Sequence, residues 1–327
     1  MTQSFEQLAE PFRRELKRHC YCMLGSVHEA EDLVQETYLR AWRSFGSFEG
    51  RGSLRAWLYQ IATNACLNFL ASRQNQQRLL PYQRVPPATE MPDGTFATDV
   101  PWLEPYPDSD LEGIADESPG PEARYGGDEA VQLAFVTLIQ ALPPRQRAAL
   151  LLCDVLGWSA LEAAELLGTS TAAINSARQR ARETLAQRYP DGRPSIAASP
   201  DPMQQALLGR YIRAWEAQNL DEFVALLREN AIYSMPPVTQ WYAGQRAIGD
   251  FFAWAWKNYD GFRLVATAAN RQPAFATYSR AHPDTPWMAH SIQVLTIERD
   301  AVSELTLFMK PTGPRLFSAF GLPAMLP

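Results

Sequence analysis

The segment 161–185, LEAAELLGTSTAAINSARQRARETL, constrains the fold most because it predicts two short helices joined by a tight turn. Ser159 and Glu162 have the S-x-x-E spacing of a capping box that begins the first helix, and Gly168 supplies the backbone freedom that ends it. One narrow face of the second helix is apolar. Small aliphatic residues recur on it every three or four positions: Ile174, Ala177, Ala181 and Leu185.

The opposite face of the second helix is polar and cationic. Hydroxyls and free N–H groups at a helix N-terminus can bind phosphate, and amide or guanidinium groups can read base edges in a DNA major groove. We therefore predict base contacts along this face and a backbone contact for Arg182. The alternative is an amphipathic helix with solvated arginines. The predicted DNA-binding residues are Ser170, Thr171, Asn175, Arg178, Gln179 and Arg182.

The net charge of −6 hides an uneven distribution. Twelve acidic residues stand between Glu90 and Glu129 against one basic residue, Arg124, so this segment carries −11 and the rest of the chain about +5. The length of 327 residues predicts two or three domains. The average charge is therefore compatible with basic domains separated by an acidic connector.

Several classes of protein are disfavoured. Cys20, Cys22, Cys66 and Cys153 have neither zinc-site spacing nor a secreted disulfide pattern, and we expect no metal or other cofactor, even beside His19. The N-terminus lacks a basic region followed by an apolar run, and no stretch approaches 18 apolar residues. We expect a cytoplasmic protein.

Residues 5–73 are predicted to be helical. Ser26 and Glu29 form a second capping box, and Ser53 caps a third long helix. On that third helix Gln60, Asn64 and Asn68 recur every four residues as one polar stripe. The apolar face of the second helix comprises Ala30, Leu33, Val34, Thr37 and Ala41.

Two linkers divide the chain. Residues 74–128 are rich in proline and acidic residues without periodicity, and residues 190–202 contain four prolines. The predicted domains are therefore 1–73, 129–189 and 203–327. The last is predicted to be an α+β domain, with helices at 203–217, 220–227 and 245–256 and strands at 231–235, 263–269, 274–280, 288–298 and 301–309.

The helical blocks together resemble the extracytoplasmic-function sigma factors of bacterial RNA polymerase, in the sigma-70 family. The resemblance rests on EAEDLVQETYLRAWRSF (29–45), GSLRAWLYQIATNACLNFLASR (52–73) and the segment 142–185, in the family's order. Residues 203–327 resemble SnoaL-like domains of the nuclear-transport-factor-2-like fold, a cone around a pocket, through WYAGQRAIGDFF (241–252) and FGLP (320–323). This implies two all-α sigma domains, the second a helix-turn-helix, followed by an α+β cone.

The resemblance implies a transcription initiation factor rather than an enzyme. Its implied partners are core polymerase (clamp and flap) and promoter DNA, with an anti-sigma factor or a small ligand as further candidates, and no membrane. Residues 29–45 would dock to polymerase, with a solvated face as the alternative, and the 52–73 helix would melt the −10 element. An aromatic surface can stack an unpaired base, although Trp57 and Tyr59 are alternatively core residues. The predicted polymerase-binding residues are Asp32, Gln35, Glu36 and Arg40. The predicted −10 residues are Ser47, Phe48, Glu49, Gly50, Arg51, Arg55, Trp57, Tyr59, Gln60, Asn64, Asn68 and Arg73.

The linker at 74–128 sets a distance problem. Fifty-five residues of flexible chain span about 40 Å, whereas −10 and −35 elements some 25 base pairs apart are separated by about 85 Å of duplex. We predict that the free protein binds duplex promoter weakly until polymerase holds the domains apart. The acidic segment could otherwise fold back on the basic helices.

The C-terminal domain contains aromatic residues that could line a pocket or simply form a core. The candidates are Trp215, Tyr233, Trp241 and His290. We find no carboxylate at 310–315, where a proton-transfer enzyme of this fold would need one, so we interpret the domain as regulatory. Two other functions stay open: a stand-alone helix-turn-helix regulator, and a SnoaL-like cyclase or isomerase fused to a helical adaptor.

Overall fold

The computed structural model describes residues 4–48, 53–72, 77–92, 100–114, 124–188, 201–310 and 312–327. It divides into two compact units. The N-terminal unit comprises residues 1–78 and 108–194, and the C-terminal unit comprises residues 79–107 and 195–327. Within the described ranges, no helix is long and apolar enough to cross a membrane.

The regular structure described in the N-terminal unit is helical. The helices are α1 (Phe5–Ala9), α2 (Arg13–Leu24), α3 (Val27–Ser44), α4 (Leu54–Ser72), α5 (Gly127–Val131), α6 (Leu133–Ile139), α7 (Pro144–Leu150), α8 (Ala160–Leu167) and α9 (Thr171–Arg188). A π-helical turn, Leu151–Val155, continues α7.

The predicted helix boundaries of the helix-turn-helix are confirmed. The Ser159 side chain accepts from the Glu162 amide at 3.2 Å, and the Glu162 carboxylate accepts from the Ser159 amide at 2.8 Å. Gly168 ends α8 in the left-handed region with φ of 59°, where glycine has no Cβ penalty. The apolar face of α9 is buried as predicted: Ile174, Ala177, Ala181 and Leu185.

The predicted capping box at α3 is only half formed. Ser26 accepts from the Glu29 amide at 3.2 Å, but the Glu29 carboxylate binds Arg78. The serine bond alone still satisfies one of the unpaired N–H groups at the helix start. The predicted inward face of α3 is buried: Ala30, Leu33, Val34, Thr37 and Ala41.

The C-terminal unit is α+β, with helices packed on a mixed sheet. Strand order is β2-β1-β6-β5-β4-β3, with β7 on β5; β1 and β6 are parallel and the other pairs are antiparallel. The predicted hairpin is confirmed, since Glu298 pairs with Ala301 and Arg299 adopts a φ of 59° in the turn. The elements are α10 (Pro202–Glu216), α11 (Leu220–Ala225), β1 (Leu227–Ser234), β2 (Trp241–Ala243), α12 (Gln245–Ala255), β3 (Gly261–Ala269), β4 (Gln272–Arg280), β5 (Trp287–Glu298), β6 (Ala301–Phe308), α13 (Thr312–Ala319) and β7 (Met325–Leu326).

The linker at 74–128 differs from the flexible chain that its composition predicts. Residues 79–107, which we call the strap, belong to the C-terminal unit. The Ala88 amide donates to the Trp241 carbonyl at 2.8 Å, and the Asn270 amide donates to the Tyr106 carbonyl at 2.9 Å. Backbone hydrogen bonds to β2 and to the turn between β3 and β4 provide the order that the strap's own sequence does not.

The acidic residues that follow the strap contact a basic helix. Lys17 Nζ on α2 lies 2.7 Å from Asp110 Oδ2, and Arg14 donates to the carbonyl of Glu112. This part of the linker therefore folds back on α2, as its charge predicts.

Candidate functional site

The helix-turn-helix exposes part of its predicted DNA-binding face. Thr171, Asn175 and Gln179 are exposed and recur every four residues along α9, so they share one face. Ser170 accepts from the Ala173 amide at 3.2 Å and caps the helix. Arg180 is also exposed and was not predicted; its position beside Gln179 was the available signal.

Arg178 and Arg182 do not lie on that face as predicted. The Arg178 side chain is only 8% exposed and donates to Asp154 Oδ1 from Nε at 3.1 Å and from Nη2 at 2.8 Å. Arg182 donates to the same carboxylate from Nε at 2.7 Å and from Nη2 at 2.5 Å. Asp154 is fully buried. Because a buried carboxylate requires paired cations, these arginines hold the domain together in this structure.

The polar stripe of α4 is exposed as predicted: Gln60, Asn64 and Asn68 all face solvent. At the start of the helix, the half-buried Trp57 stacks on Phe48, with ring centroids 4.9 Å apart. This pair gives a partly accessible aromatic surface beside three amide side chains. Such a surface suits an unstacked base.

Arg55 and Tyr59 have protein partners where DNA contacts were predicted. Arg55 Nη2 lies 2.9 Å from Glu15 Oε2 on α2, and the Arg55 guanidinium carbon lies 5.3 Å from the Tyr59 ring centroid. Tyr59 is fully buried, and its ring packs edge-on against Trp158 at 5.4 Å. Burial raises the pKa of the Tyr59 hydroxyl. Tyr59 is therefore a core residue here, which was the alternative to base stacking.

The remaining predicted −10 residues fall largely outside the described part of the chain. Glu49, Gly50, Arg51 and Arg73 lie outside it, and of Ser47 only the backbone, in a 3₁₀ turn, is described. Their roles stay predictions.

The outer face of α3 contains the predicted polymerase-binding residues. Asp32 and Gln35 are exposed, and Glu36 forms an ion pair with Arg40 one turn away. Two large apolar residues on the same face were not predicted: Leu39 is 55% exposed and Trp42 is 60% exposed. Their helical spacing from Asp32 and Gln35 could have identified them as part of the same face. An exposed apolar patch with a polar rim is typical of a protein-binding surface.

A buried polar network joins α2 to α6 and α7 within the N-terminal unit. Arg147 on α7 donates to the carbonyls of Met23 and, at 2.8 Å, Gln140. Gln140 Nε2 donates to the Cys22 carbonyl at 2.9 Å. Burial lowers the Arg147 pKa to about 9, so the side chain stays cationic near pH 7, where it complements the C-terminal end of α2.

The C-terminal unit contains a cavity of about 230 Å³ with a largely apolar lining. Trp215, Tyr233 and His290 line it as predicted, whereas Trp241 does not. His290 Nε2 lies 3.1 Å from the Tyr259 hydroxyl and Nδ1 lies 3.0 Å from Ser291 Oγ. Burial, with a smaller effect of Lys310, lowers the His290 pKa to about 4, so the ring is neutral at pH 7.

Trp241 instead binds the strap. Its Nε1 donates to the Val85 carbonyl at 2.7 Å, and its ring packs edge-on against Tyr82 at 6.2 Å. The neighbouring Tyr242 hydroxyl donates to the Glu90 carbonyl at 2.9 Å. The β2 strand is therefore the docking edge for the strap.

The cysteines are buried thiols: Cys20, Cys22, Cys66 and Cys153. Burial raises the Cys22 pKa to about 12, which leaves it a poor nucleophile and a poor metal ligand at pH 7. In the ranges that the structure describes, His, Cys, Asp and Glu form no cluster of three or more that could hold a metal ion.

Comparison with family models gives three matches along the chain. Residues 8–76 match sigma-70 region 2, residues 132–185 match sigma-70 region 4, and residues 208–305 match the SnoaL-like domain. The first two cover the α2–α4 block and the helix-turn-helix. The third covers the cavity-bearing domain.

The chain is also similar to known sigma factors. The chain is 44% identical over 98% of its length to the ECF RNA polymerase sigma factor SigG of Mycobacterium tuberculosis, of which it covers 85%. It is 30% identical over 69% of its length to SigJ of the same species, of which it covers 62%. The crystal structure of SigJ aligns with a TM-score of 0.60 at 22% identity, covering 96% of this chain and 98% of SigJ, and therefore shows the shared fold.

Proposed function

Because the chain belongs to the extracytoplasmic-function sigma factors of the sigma-70 family, we propose specific roles for its exposed surfaces in promoter recognition. Family membership makes it an alternative sigma factor, a transcription initiation factor rather than an enzyme, with a C-terminal SnoaL-like domain. Extracytoplasmic-function sigma factors bind core RNA polymerase and promoter DNA. The stand-alone regulator is set aside because residues 8–76 match region 2.

The outer face of α3 docks to the polymerase clamp. Asp32 and Gln35 supply polar contacts, and Leu39 and Trp42 supply the apolar anchor. The exposure of two large apolar side chains on one helix face is the observation that supports this role, because hot spots of binding energy are enriched in such aromatic residues.

The helix-turn-helix reads the −35 element through Thr171, Asn175 and Gln179, and α4 reads the −10 element through its amide stripe beside Trp57. The exposure of both stripes supports this assignment. Arg180 is added as a phosphate contact. The region-4 domain binds the polymerase flap, and an anti-sigma factor could compete for these surfaces. The protein acts in the cytoplasm, where polymerase and promoter meet.

The N-terminal unit represents a closed state that cannot span a promoter. A compact unit of roughly 160 residues is about 40 Å across, whereas the two promoter elements are about 85 Å apart. Polymerase must therefore separate the region-2 and region-4 domains. The contacts that resist separation include Tyr59 with Trp158 and the Arg147 network.

The test is transcription in vitro with mycobacterial core RNA polymerase on genomic fragments. Gln179→Ala removes an exposed amide on the reading face, and Gln187→Ala removes an exposed amide from the end of the same helix. We expect Gln179→Ala to lower transcription about 10-fold, since one good base contact contributes about 1–3 kcal/mol, with Gln187→Ala unchanged. Equal effects, or no transcription by the unaltered chain, would contradict the assignment.

A further inference from the structure

Resting on the proposed regulatory role of the C-terminal domain, we propose that its cavity binds a small neutral ligand that locks the strap in place. The ligand class is a one- or two-ring, mostly apolar molecule with a hydrogen-bond acceptor such as a carbonyl.

The size and lining of the cavity define this class. An apolar cavity of about 150 Å³ is large enough for benzene, so a cavity of about 230 Å³ admits a somewhat larger molecule. The rings of Tyr233, Phe251 and Phe252 supply flat apolar walls. No Asp, Glu, Lys or Arg is found among the described residues that line it, so a ligand of either charge would lack a counter-charge.

The polar groups of the cavity favour an acceptor on the ligand. The side chains of Trp215 and Trp256 both line the cavity and are 1% and 7% exposed. Within the described structure, neither indole nitrogen has a hydrogen-bond partner. Buried donors without acceptors are costly, and an acceptor on a ligand that reaches either nitrogen would remove that cost. The Tyr259 hydroxyl, bound to His290, is a third polar contact.

The strap forms part of the same cavity. Pro92, near the end of its first described stretch, lines the cavity, and Ala88 and Met91 pack against the core of the domain. Trp241 holds the strap a few residues before Pro92, through the Val85 carbonyl and the Ala88 amide. A ligand that contacts Pro92 therefore binds the docked strap more tightly than the released strap.

That difference in affinity makes the ligand a corepressor. A ligand shifts a conformational equilibrium toward the state that it binds more tightly. The strap connects the two DNA-reading domains, so holding it docked restricts their separation. By reciprocity, loosening the strap weakens ligand binding by the same factor.

The test uses the full chain and 1-tetralone, a neutral two-ring ketone, as the probe. Calorimetry measures its affinity, and hydrogen exchange measures opening at the Ala88 amide. Tetralin, which lacks the oxygen, and 1-naphthoate, which is anionic, are the ligand controls. We expect 1-tetralone to bind at least 10-fold more tightly than either and to slow Ala88 exchange at least 5-fold.

Variants of the residues that hold the strap test whether strap docking affects ligand binding. Trp241→Ala and the milder Tyr242→Phe loosen the strap without altering a lining residue, and each should weaken 1-tetralone binding at least 3-fold. Leu161→Ala, at an exposed leucine of the other unit, should leave it unchanged. Circular dichroism verifies that each variant is folded.

Each failure has a distinct meaning. Absence of 1-tetralone binding at millimolar concentration, or equal binding of tetralin, overturns the ligand class. Equal affinity in the unaltered chain and both strap variants, with unchanged Ala88 exchange, overturns the lock. Neither readout includes polymerase, so a failure of transcription without ligand would instead refute the proposed surface roles.

Discussion

Asp154 offers the sharpest test of whether the arginines of α9 are structural or DNA-reading. Its carboxylate is fully buried and accepts four N–H bonds, two from Arg178 and two from Arg182. Its own backbone carbonyl accepts from the amides of Arg124 and Tyr125 at 2.7 and 3.0 Å. Substitution of Asp154 therefore removes contacts at the centre of the region-4 domain.

Substituting the carboxylate and substituting one of its arginines should destabilise the domain by different amounts. Asp154→Ala leaves Arg178 buried without its counter-ion, and removing one partner of a buried pair costs about 3–5 kcal/mol. For a unit of this size, that lowers the melting temperature by about 6–20 °C. Arg178→Ala costs less, about 1.5–3 kcal/mol for a lost bond to a charged group, because Arg182 still neutralises Asp154.

Thermal unfolding of the full chain followed by circular dichroism measures both effects. Gln179→Ala is the control, because this exposed side chain faces away from Asp154; its melting temperature should not change while promoter binding with polymerase falls. If Arg178→Ala leaves stability unchanged and abolishes promoter recognition, Arg178 reads DNA and the structural interpretation is refuted.

Three further predictions concern other parts of the molecule. Trp158→Ala should raise promoter binding by the free chain about 2- to 10-fold in a gel-shift assay, because the aromatic pair of Trp158 and Tyr59 contributes about 0.5–1.5 kcal/mol to the closed state. Unchanged promoter binding would show that this pair does not hold the closed state together. Trp42→Ala should weaken binding to core polymerase about 10-fold at unchanged stability, with the exposed Met203→Ala as control; equal affinities would contradict the α3 surface. Acidification from pH 6.5 to pH 4 should lower the free energy of unfolding by about 3 kcal/mol through His290, because only the unfolded chain binds a proton at this histidine in that window. His290→Leu should remove this part of the pH dependence in urea titrations. An unchanged dependence of the unfolding free energy on pH would show that another group causes it.

Local signals predicted most of the secondary structure. The capping box at Ser159, the left-handed Gly168 and the hairpin at Arg299 depend on neighbours within a few residues, and all three are confirmed. Burial of the apolar faces of α3 and α9 followed from periodicity for the same reason. These features require only the geometry of one helix or one turn.

The failures all involve partners far apart in sequence. Arg178 meets Asp154 across 24 positions, Arg55 meets Glu15 across 40, and Trp241 meets Val85 across 156. A cationic stripe has the same period whether its charges face DNA or a buried carboxylate. Likewise, the composition of the strap predicts a flexible linker, since the strand that orders it follows about 150 residues later in the sequence.

The long-range contacts also determine what activation must overcome. In the closed unit the amide stripes of α4 and α9 are already exposed, so binding of each promoter half does not require unmasking of these side chains. What prevents simultaneous binding is distance, because one unit about 40 Å across cannot reach elements about 85 Å apart. We therefore expect polymerase to act by separating the domains. Part of the acidic connector binds α2 and the strap binds β2, so we expect separation of the domains to require release of these contacts as well.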